Sequence, residues 1–370
     1  MAGKRQHFLP RFLLKGFSSR SKGNELYTWV FRRDSKPYET NIQNVGLEGF
    51  FYGDPQESSV DDDITEREQS FISMVESLRA ESNDIRIGDE AISDFVIHLI
   101  VRTQNARKSM LKVGDCLMEI FKRNFTDPSK LEKMILGYVR NNPQEFKQSI
   151  EQSVRSELEK RGIRKIAPEV LDALVAQAMR QAPQLLGAKL HDFASLTHFI
   201  AAFVQKDLPK IARKSHLRAL SEDVVPPLLV EKLSHFRWSL LVQQPNSLIL
   251  GDIGPIAGRI SEARFKAFLW IRDEVEQILL PISDKHLVFG SATSEVERPD
   301  SQMVNIAGAS LSMDFYVAPI NTDTFASYQN NIGSNASPFS EDELREMELS
   351  LIREILGTGE PDFGKKKLPS

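Results

Sequence analysis

Apolar residues recur with the period of an α-helix through the middle of the chain, from about residue 64 to residue 220. The clearest case is one helical face formed by Ile92, Phe95, Val96, Leu99 and Ile100, whose spacing is that of an amphipathic helix. The same period, with prolines at positions suited to helix starts, predicts further helices over residues 115–124, 129–140, 144–161, 168–180 and 189–213.

Two capping boxes mark the starts of predicted helices. Thr65 is followed three residues later by Glu68, the spacing at which each side chain bonds the backbone N–H group of the other. We therefore expect a helix to begin near Thr65. Two more helices are predicted over residues 321–331 and 341–356, the second of which opens with another capping box at Ser340–Glu343.

Segments rich in aromatic and β-branched residues flank the helical middle and predict strands. The first is Leu26–Phe31, within an extended region over residues 24–53. Beyond Pro226, two hairpins are predicted, and their strand pairs are Phe236–Val242 with Leu248–Leu250 and Val275–Pro281 with Leu287–Phe289.

The predicted fold class is α+β, with a predominantly helical middle and N-terminal and C-terminal β segments that we expect to form one sheet. Residues 1–360 are predicted to form one domain, in which residues 126–188 are a helical insertion or subdomain. Residues 361–370 contain Lys365–Lys367 after a Gly/Pro-rich stretch and are predicted to be a disordered tail.

Composition restricts the class of protein. The chain has 370 residues, 41% of them hydrophobic and 26% charged, which is close to the globular average. No apolar run approaches the roughly 18 residues that cross a bilayer, and the first residues lack the apolar stretch of a secretory signal. Cys116 is the only cysteine, which excludes internal disulfides and cysteine-based zinc sites. We expect a soluble cytoplasmic protein that does not contact a membrane.

Charge is nearly balanced in total but uneven along the chain. The 47 Lys and Arg residues and 51 Asp and Glu residues give a net charge of −4. Basic residues, Arg11 among them, precede the first acidic residue, Glu25, and acidic residues then crowd positions 54–68. The basic segment could contact phosphates, or it could pair with this acidic stretch of its own chain. The acidic total favours internal pairing or plain solvation.

The charges that point inward are more informative than the total. On the helix predicted near Thr65, Glu68 falls within the apolar arc of Phe71 and Val75, where an unpaired carboxylate is costly. On the helix predicted around Ile92, the apolar arc also contains Arg107 and has Arg102 at its edge. Either these charges form a structural Glu–Arg pair between helices, or they line a pocket.

His7 and Asp252 are the other candidate catalytic residues. His7 stands in an apolar run and could act as a general acid or base near neutral pH, or it could simply be packed. Asp252 follows the apolar Leu248–Leu250, where a turn could expose it at a site or use it as a turn former. The other histidines show no ligand spacing with carboxylates, so neither a metal site nor a cofactor is expected. The chain also lacks the sequence motifs of P-loop ATPases, dinucleotide-binding dehydrogenases, zincins and esterases.

The chain resembles DUF4238, a bacterial family of domains of unknown function. Members open with His-x-x-Pro-x-x-x-Leu-x-x-Phe, which is matched here by His7, Pro10, Leu14 and Phe17. Later parts of the family pattern align with Phe51–Tyr52, Glu68, Arg102, Gln104, Arg107, Asp252, Pro281–Asp284 and Asn321. The chain departs from the pattern around Asp252, because the family has Ser-Asp-x-Pro where this chain has Gly251–Pro255.

The resemblance implies no activity, but it raises the status of His7, Glu68, Arg102 and Asp252, since a recurrent polar set is expected of a site. One hypothesis is a metal-independent hydrolase or transferase that acts on a phosphate-containing or nucleic-acid substrate, by analogy in host defence. In it those four residues are catalytic, and the substrate-binding residues are Gln104, Arg107 and Arg11. The alternative is a non-catalytic binding or interaction protein in which the same groups form a structural polar network.

Overall fold

The computed structural model divides the chain into two compact units. Unit 1 comprises residues 1–112 and 210–338, and unit 2 comprises residues 113–209 and 339–370. The structure describes residues 5–49, 59–141, 143–163, 165–181, 206, 210, 227–262, 264–266, 275–293, 298–336 and 341–355. The predicted tail over residues 361–370, Phe51–Tyr52 and most of the predicted helix over residues 189–213 lie outside the described residues. The predicted single domain over residues 1–360, with its insertion, stays a prediction.

Helices account for most of the regular structure within these ranges. They are α1 (Arg11–Leu14), α2 (Ser59–Ala80), α3 (Asp89–Arg102), α4 (Gln104–Phe125), α5 (Pro128–Asn141), α6 (Pro143–Lys160), α7 (168–181), α8 (Pro227–Ser234), α9 (Ser301–Leu311), α10 (Asp323–Ser327) and α11 (Glu341–Ile355). None of the helices within the described ranges is long and apolar enough to span a membrane.

The described strands all lie in unit 1. They are β1 (Arg5–His7), β2 (Arg20–Lys22), β3 (Glu25–Phe31), β4 (Tyr38–Asn41), β5 (Leu47–Gly49), β6 (Ile85–Ile87), β7 (Arg237–Val242), β8 (Leu250–Gly251), β9 (Ile256–Arg259), β10 (Arg264–Lys266), β11 (Gln277–Pro281), β12 (His286–Ser291) and β13 (Tyr316–Ala318). They form three antiparallel sheets: β1-β5, then β10-β9-β11-β12-β7-β6, and finally β2-β3-β13-β8 with β4 also paired to β3.

The α+β class is confirmed, but the prediction of one sheet is wrong for the described strands. One sheet does join N-terminal to C-terminal strands, through the pairing of β3 with β13. The longest sheet consists mainly of C-terminal strands, and its central strands β11 and β12 are buried along their whole length. Alternation and composition identify a strand, whereas tertiary packing chooses its partners.

One of the two predicted hairpins exists. The β11–β12 pair is confirmed, with Leu279 opposite Phe289. The predicted hairpin of Phe236–Val242 with Leu248–Leu250 is wrong, because β8, which contains Leu250, pairs with β13 and belongs to another sheet. Backbone contacts explain the change of sheet: Ser247 N–H donates to the Asp284 carbonyl at 3.0 Å, and Ile249 N–H donates to the Asn305 side chain at 3.0 Å.

The predicted apolar face of α3 is confirmed and forms part of the main core of unit 1. All five of its residues, Ile92, Phe95, Val96, Leu99 and Ile100, are buried. The neighbouring strand β7 contributes Trp238, whose indole N–H donates to Ser93 Oγ of α3 at 2.9 Å. Its cross-strand partner is Gly290, where a Cβ would lie 2.5 Å from the indole ring, so the ring needs a glycine there.

Two helix boundaries differ from the prediction. α2 begins at Ser59 rather than near Thr65, so Thr65 lies inside the helix and does not cap it. The residues after Ser59 are rich in Asp, a residue type that the positive end of a helix dipole favours. The second difference is a break at Thr103, whose backbone is extended and separates α3 from α4.

Unit 2 consists of helices in its described part. α5 contacts α6, and the end of α4 is joined to α11 by an ion pair between Arg123 and Glu348. Asn124 supports the same carboxylate through a 2.9 Å hydrogen bond. The division between the two units falls within α4.

Candidate functional site

Arg102 joins three segments that are far apart in the sequence. It is the last residue of α3, and its side chain is 4% exposed. Its Nε and Nη2 donate to the His7 carbonyl at 3.2 and 2.7 Å. Its Nη1 forms an ion pair with Glu68 of α2, whose side chain is 19% exposed. The structure therefore brings His7, Glu68 and Arg102 together, and the Glu–Arg pair expected from the inward charges is confirmed.

The helices present this pair because both charges continue an apolar face. On α2, Glu68 precedes the buried Phe71 and Val75 by one and two turns. On α3, Arg102 follows the buried Phe95 and Leu99 by two turns and one turn, respectively. A buried guanidinium is tolerated when a carboxylate and further acceptors satisfy it, and here a carboxylate and a carbonyl do so.

His7 is the last residue of β1, and its ring is oriented by a backbone carbonyl. Its Nδ1 lies 3.0 Å from the Val45 carbonyl oxygen, and the side chain is partly buried. A carbonyl only accepts hydrogen bonds, so the neutral ring carries its proton on Nδ1 and its lone pair on Nε2. In this tautomer Nε2 is the atom that can take up a proton.

The sequence left open whether Asp252 is exposed at a site or forms a turn, and the structure buries it. It follows β8, is 3% exposed, and accepts backbone hydrogen bonds from Met313 at 2.9 Å, Asp314 at 2.7 Å and Phe315 at 3.1 Å. Burial raises its pKa to about 6, although the three N–H groups favour the ionised form. The burial has a simple cause: the loop between α9 and β13 has N–H groups to satisfy, and this carboxylate satisfies three of them.

The loop held by Asp252 lies near the His7 network. The ring of Phe315 is 6.3 Å from the ring of Phe8, the residue after His7. Gly254, two residues after Asp252, adopts a positive φ, and a Cβ there would pack 3.7 Å from Thr103. Asp252 therefore stabilises the loop that packs beside the network.

The three predicted substrate-binding residues have different outcomes. Arg11 is the first residue of α1 and is exposed, and among the described residues its side chain has no hydrogen-bond or ion-pair partner. Gln104 and Arg107 belong to α4, and their side chains lie outside the described part of the structure. The sequence predicted a single helix through Ile92 and Arg107, but the extended backbone at Thr103 ends α3 before Arg107, so the inward direction of Arg107 stays a prediction.

Other basic residues of the N-terminal segment pair within the chain. Lys15 lies 3.8 Å from Glu76, and Arg20 lies 2.7 Å from Glu39. The Arg20 guanidinium also lies 4.0 Å from the ring centre of Tyr27. Both acidic partners lie outside the acidic stretch at positions 54–68, so the predicted pairing with that stretch stays a prediction. Of the acidic stretch at positions 54–68, only the side chains of residues 66–68 are described.

A buried histidine near the network escaped the sequence analysis. His98 lies one turn before Arg102 on α3, is 6% exposed, and has an Nε2 atom without a hydrogen-bond partner among the described residues. Its ring centre is 5.5 Å from that of Phe71. Burial lowers its pKa to about 3, and the charge of Arg67 acts in the same direction. Its four-residue spacing from Arg102 places both residues on one face of the helix, a signal that the spacing of histidines from carboxylates does not contain.

A second guanidinium missed by the sequence analysis lies at the other end of α2. Arg79 donates to the carbonyls of Phe12 at 2.8 Å, Leu13 at 2.9 Å and Ile282 at 2.8 Å. Phe12 and Leu13 belong to α1, so Arg79 satisfies carbonyls that the end of a short helix leaves open. Burial lowers its pKa to about 10, while the charges of Glu76 and Asp284 oppose the shift.

Metal ligands do not gather within the described ranges: no group of three His, Cys, Asp or Glu side chains there could hold an ion. A family model described as "Protein of unknown function (DUF4238)" matches residues 5–337. No curated protein and no solved structure gives a significant match. The family match spans most of the chain and includes the whole His7–Glu68–Arg102 network, so the chain belongs to the DUF4238 family.

Proposed function

We propose that this protein is a metal-independent hydrolase or transferase acting on a phosphate-containing or nucleic-acid substrate, with His7 as its general acid and base. The orientation of His7 carries the proposal. A backbone carbonyl holds the proton on Nδ1, and this is how proteins commonly prepare the other nitrogen, Nε2, to accept a proton.

The reaction needs one proton acceptor and one proton donor. Nε2 of His7 would take the proton from an attacking water or hydroxyl group as its oxygen bonds to phosphorus. The bond from phosphorus to the leaving oxygen would then break, and the imidazolium would return the proton to that oxygen. No net oxidation occurs, and the histidine ends in its starting state.

The surrounding charges divide into positioning and binding roles. Arg102 and Glu68 are positioning residues, because the guanidinium is occupied by the His7 carbonyl and the Glu68 carboxylate. Arg11 is exposed and four residues from His7, and its guanidinium is suited to hold an anionic phosphate. The lone Cys116 suits a reducing compartment, so we place the reaction in the bacterial cytosol.

The test compares wild type, His7→Ala and His235→Ala on panels of nuclease and nucleotide substrates. His235 is exposed and serves as the matched control for loss of an imidazole. We expect His7→Ala to lower kcat/KM by about 10²- to 10⁴-fold, the usual contribution of a general acid–base residue, and His235→Ala to match wild type. Inactive wild type on both panels, or an equally active His7→Ala protein, would overturn the proposal.

A second candidate is a non-catalytic binding protein with a structural polar network. It is favoured by Asp252, whose two carboxylate oxygens are committed to three backbone N–H groups. On this alternative Glu68→Gln lowers the melting temperature by several degrees because it weakens a buried ion pair, and His7→Ala leaves any measured turnover unchanged. Intact stability of Glu68→Gln together with changed ligand binding would count against it.

A further inference from the structure

The ring of His7 is held by a short turn that contains a glycine. The turn follows a 3₁₀ helix over Ile42–Asn44, which is capped by Asn41, whose side chain accepts from the Gln43 N–H at 2.9 Å. Val45 N–H then donates to the Ile42 carbonyl at 3.2 Å. These bonds fix the backbone that leads into the Val45 carbonyl, the group that receives His7 Nδ1.

Gly46, the next residue of the turn, holds the backbone that follows His7. Its carbonyl accepts the N–H groups of Phe8 at 2.8 Å and Leu9 at 3.3 Å, directly after His7. The backbone of residues 7–9 is therefore held by Gly46 at two N–H groups and by Arg102 at the His7 carbonyl. The ring and the backbone of His7 are thus held by the Val45–Gly46 turn and by Arg102, which are distant from each other in the sequence.

A glycine is required at position 46 for two separate reasons. Its φ is +64°, a conformation that residues with a side chain rarely adopt. A Cβ at this position would also lie 2.9 Å from Cβ of Leu9, which is fully buried and cannot withdraw. Any side chain at position 46 would push the Val45–Gly46 turn away from residues 7–9.

We propose that Gly46 is a positioning residue that sets the tautomer of His7 by directing the Val45 carbonyl at Nδ1. The inference deepens the proposed function and rests on it for its catalytic meaning, because it leaves Nε2 as the basic nitrogen. A free histidine prefers its proton on Nε2, which would make that nitrogen a donor instead of a base. The turn thus selects the tautomer that the proposed reaction needs.

The experiment measures the His7 tautomer from its ring ¹⁵N chemical shifts in the full-length protein, with the signal assigned by comparison with His7→Gln. Gly23→Ala is the matched control, because Gly23 has nearly the same φ, +61°, and no atom lies within 4 Å of the position that a Cβ would take there. Wild type and Gly23→Ala should carry the proton on Nδ1. In Gly46→Ala the ratio should shift toward Nε2–H by roughly fivefold or more, the factor that one lost hydrogen bond supplies.

Two further results decide the inference. A folded Gly46→Ala protein that keeps the wild-type tautomer overturns it. If Gly46→Ala does not fold, Asn41→Ala is measured instead, because it removes only the cap of the 3₁₀ helix, and an unchanged tautomer there overturns the inference as well. Because the tautomer is read without substrate, a shifted tautomer in a protein that turns over no phosphate ester would uphold the positioning role and defeat only the proposed function.

Discussion

Two arginines hold the N-terminal segment of unit 1, and they do so by different means. Arg102 binds the His7 carbonyl and has a carboxylate partner in Glu68. Arg79 binds the carbonyls of Phe12, Leu13 and Ile282, and its hydrogen-bond partners among the described residues are all carbonyls. A buried guanidinium can therefore be satisfied by one carboxylate and one carbonyl, or by several carbonyls. Only in the first arrangement does removal of the arginine leave a carboxylate, that of Glu68, without its cation.

Each arginine also has a buried histidine nearby, and the two histidines differ in whether their ring nitrogens are hydrogen-bonded. Burial lowers the pKa of His286, and the charge of the nearby Arg79 acts weakly in the same direction. Both ring nitrogens of His286 are hydrogen-bonded, to Ser283 Oγ at 2.8 Å and to the Glu81 carbonyl at 2.9 Å. His98 is near Arg102 in sequence, and its Nε2 has no hydrogen-bond partner within the described ranges. Both ring nitrogens of His286, near Arg79, thus have hydrogen-bond partners. Nε2 of His98, on the same helix as Arg102, is buried without one among the described residues.

The largest effect is expected from removing the arginine that has a carboxylate partner. Arg102→Met should lower the free energy of unfolding by about 3–5 kcal/mol, because Glu68 is left partly buried without its cation. Urea denaturation measures the loss. The double variant Arg102→Met/Glu68→Leu should recover part of it, since no unpaired charge remains. A loss below about 1 kcal/mol in the single variant would show that the ion pair is not a structural element.

The Arg79 region should respond to the shape of the cation as well as its charge. Arg79→Lys keeps the charge but concentrates three donors on one nitrogen, which cannot reach carbonyls spread around a guanidinium fork. We expect a loss of about 2 kcal/mol in the free energy of unfolding, about 1 kcal/mol for each of two lost hydrogen bonds. The exposed Arg86 provides the control, and Arg86→Lys should change stability by less than about 0.5 kcal/mol. Equal effects at both positions would contradict the assignment.

The smallest effect on the free energy of unfolding is expected from His98, and only at acidic pH. Burial lowers the folded-state pKa of His98 to about 3 from an ordinary value of 6.5, so the unfolded chain takes up a proton first. Stability is then lost as the pH falls below 6.5, and the loss continues toward pH 3. His98→Phe should remove this dependence, which amounts to about 1–2 kcal/mol between pH 7 and pH 5.

The variant and wild type are compared by urea denaturation at several pH values. His286 is present in both proteins, so its own lowered pKa contributes equally to each curve. The charge of Arg67, which also acts on His98, is likewise unchanged. Parallel curves for the two proteins would show that His98 does not cause acid sensitivity in this region.

Sequence patterns predicted elements well where one face of a helix is apolar and the other is polar. α3 has this contrast, and its predicted face is confirmed. α9 lacks it, because seven of its eleven residues are buried, so no period distinguishes two faces and the helix was not predicted. The short α8 was missed as well. The break at Thr103 was missed because the helical period of the sequence continues through it. The extended backbone lies beside Gly254, which is distant in sequence, and such a contact leaves no local pattern.

The sequence alone determined the α+β class, the inward direction of Glu68 and Arg102, and the family motif that contains His7. These features are recorded in residue types, since periodicity and motif spacing are properties of side chains. Tertiary structure alone decided which atoms the polar residues contact: the His7 carbonyl for Arg102, the Val45 carbonyl for His7, and three N–H groups for Asp252. Their partners are backbone groups, which nearly every residue possesses, so no pattern of residue types could single them out.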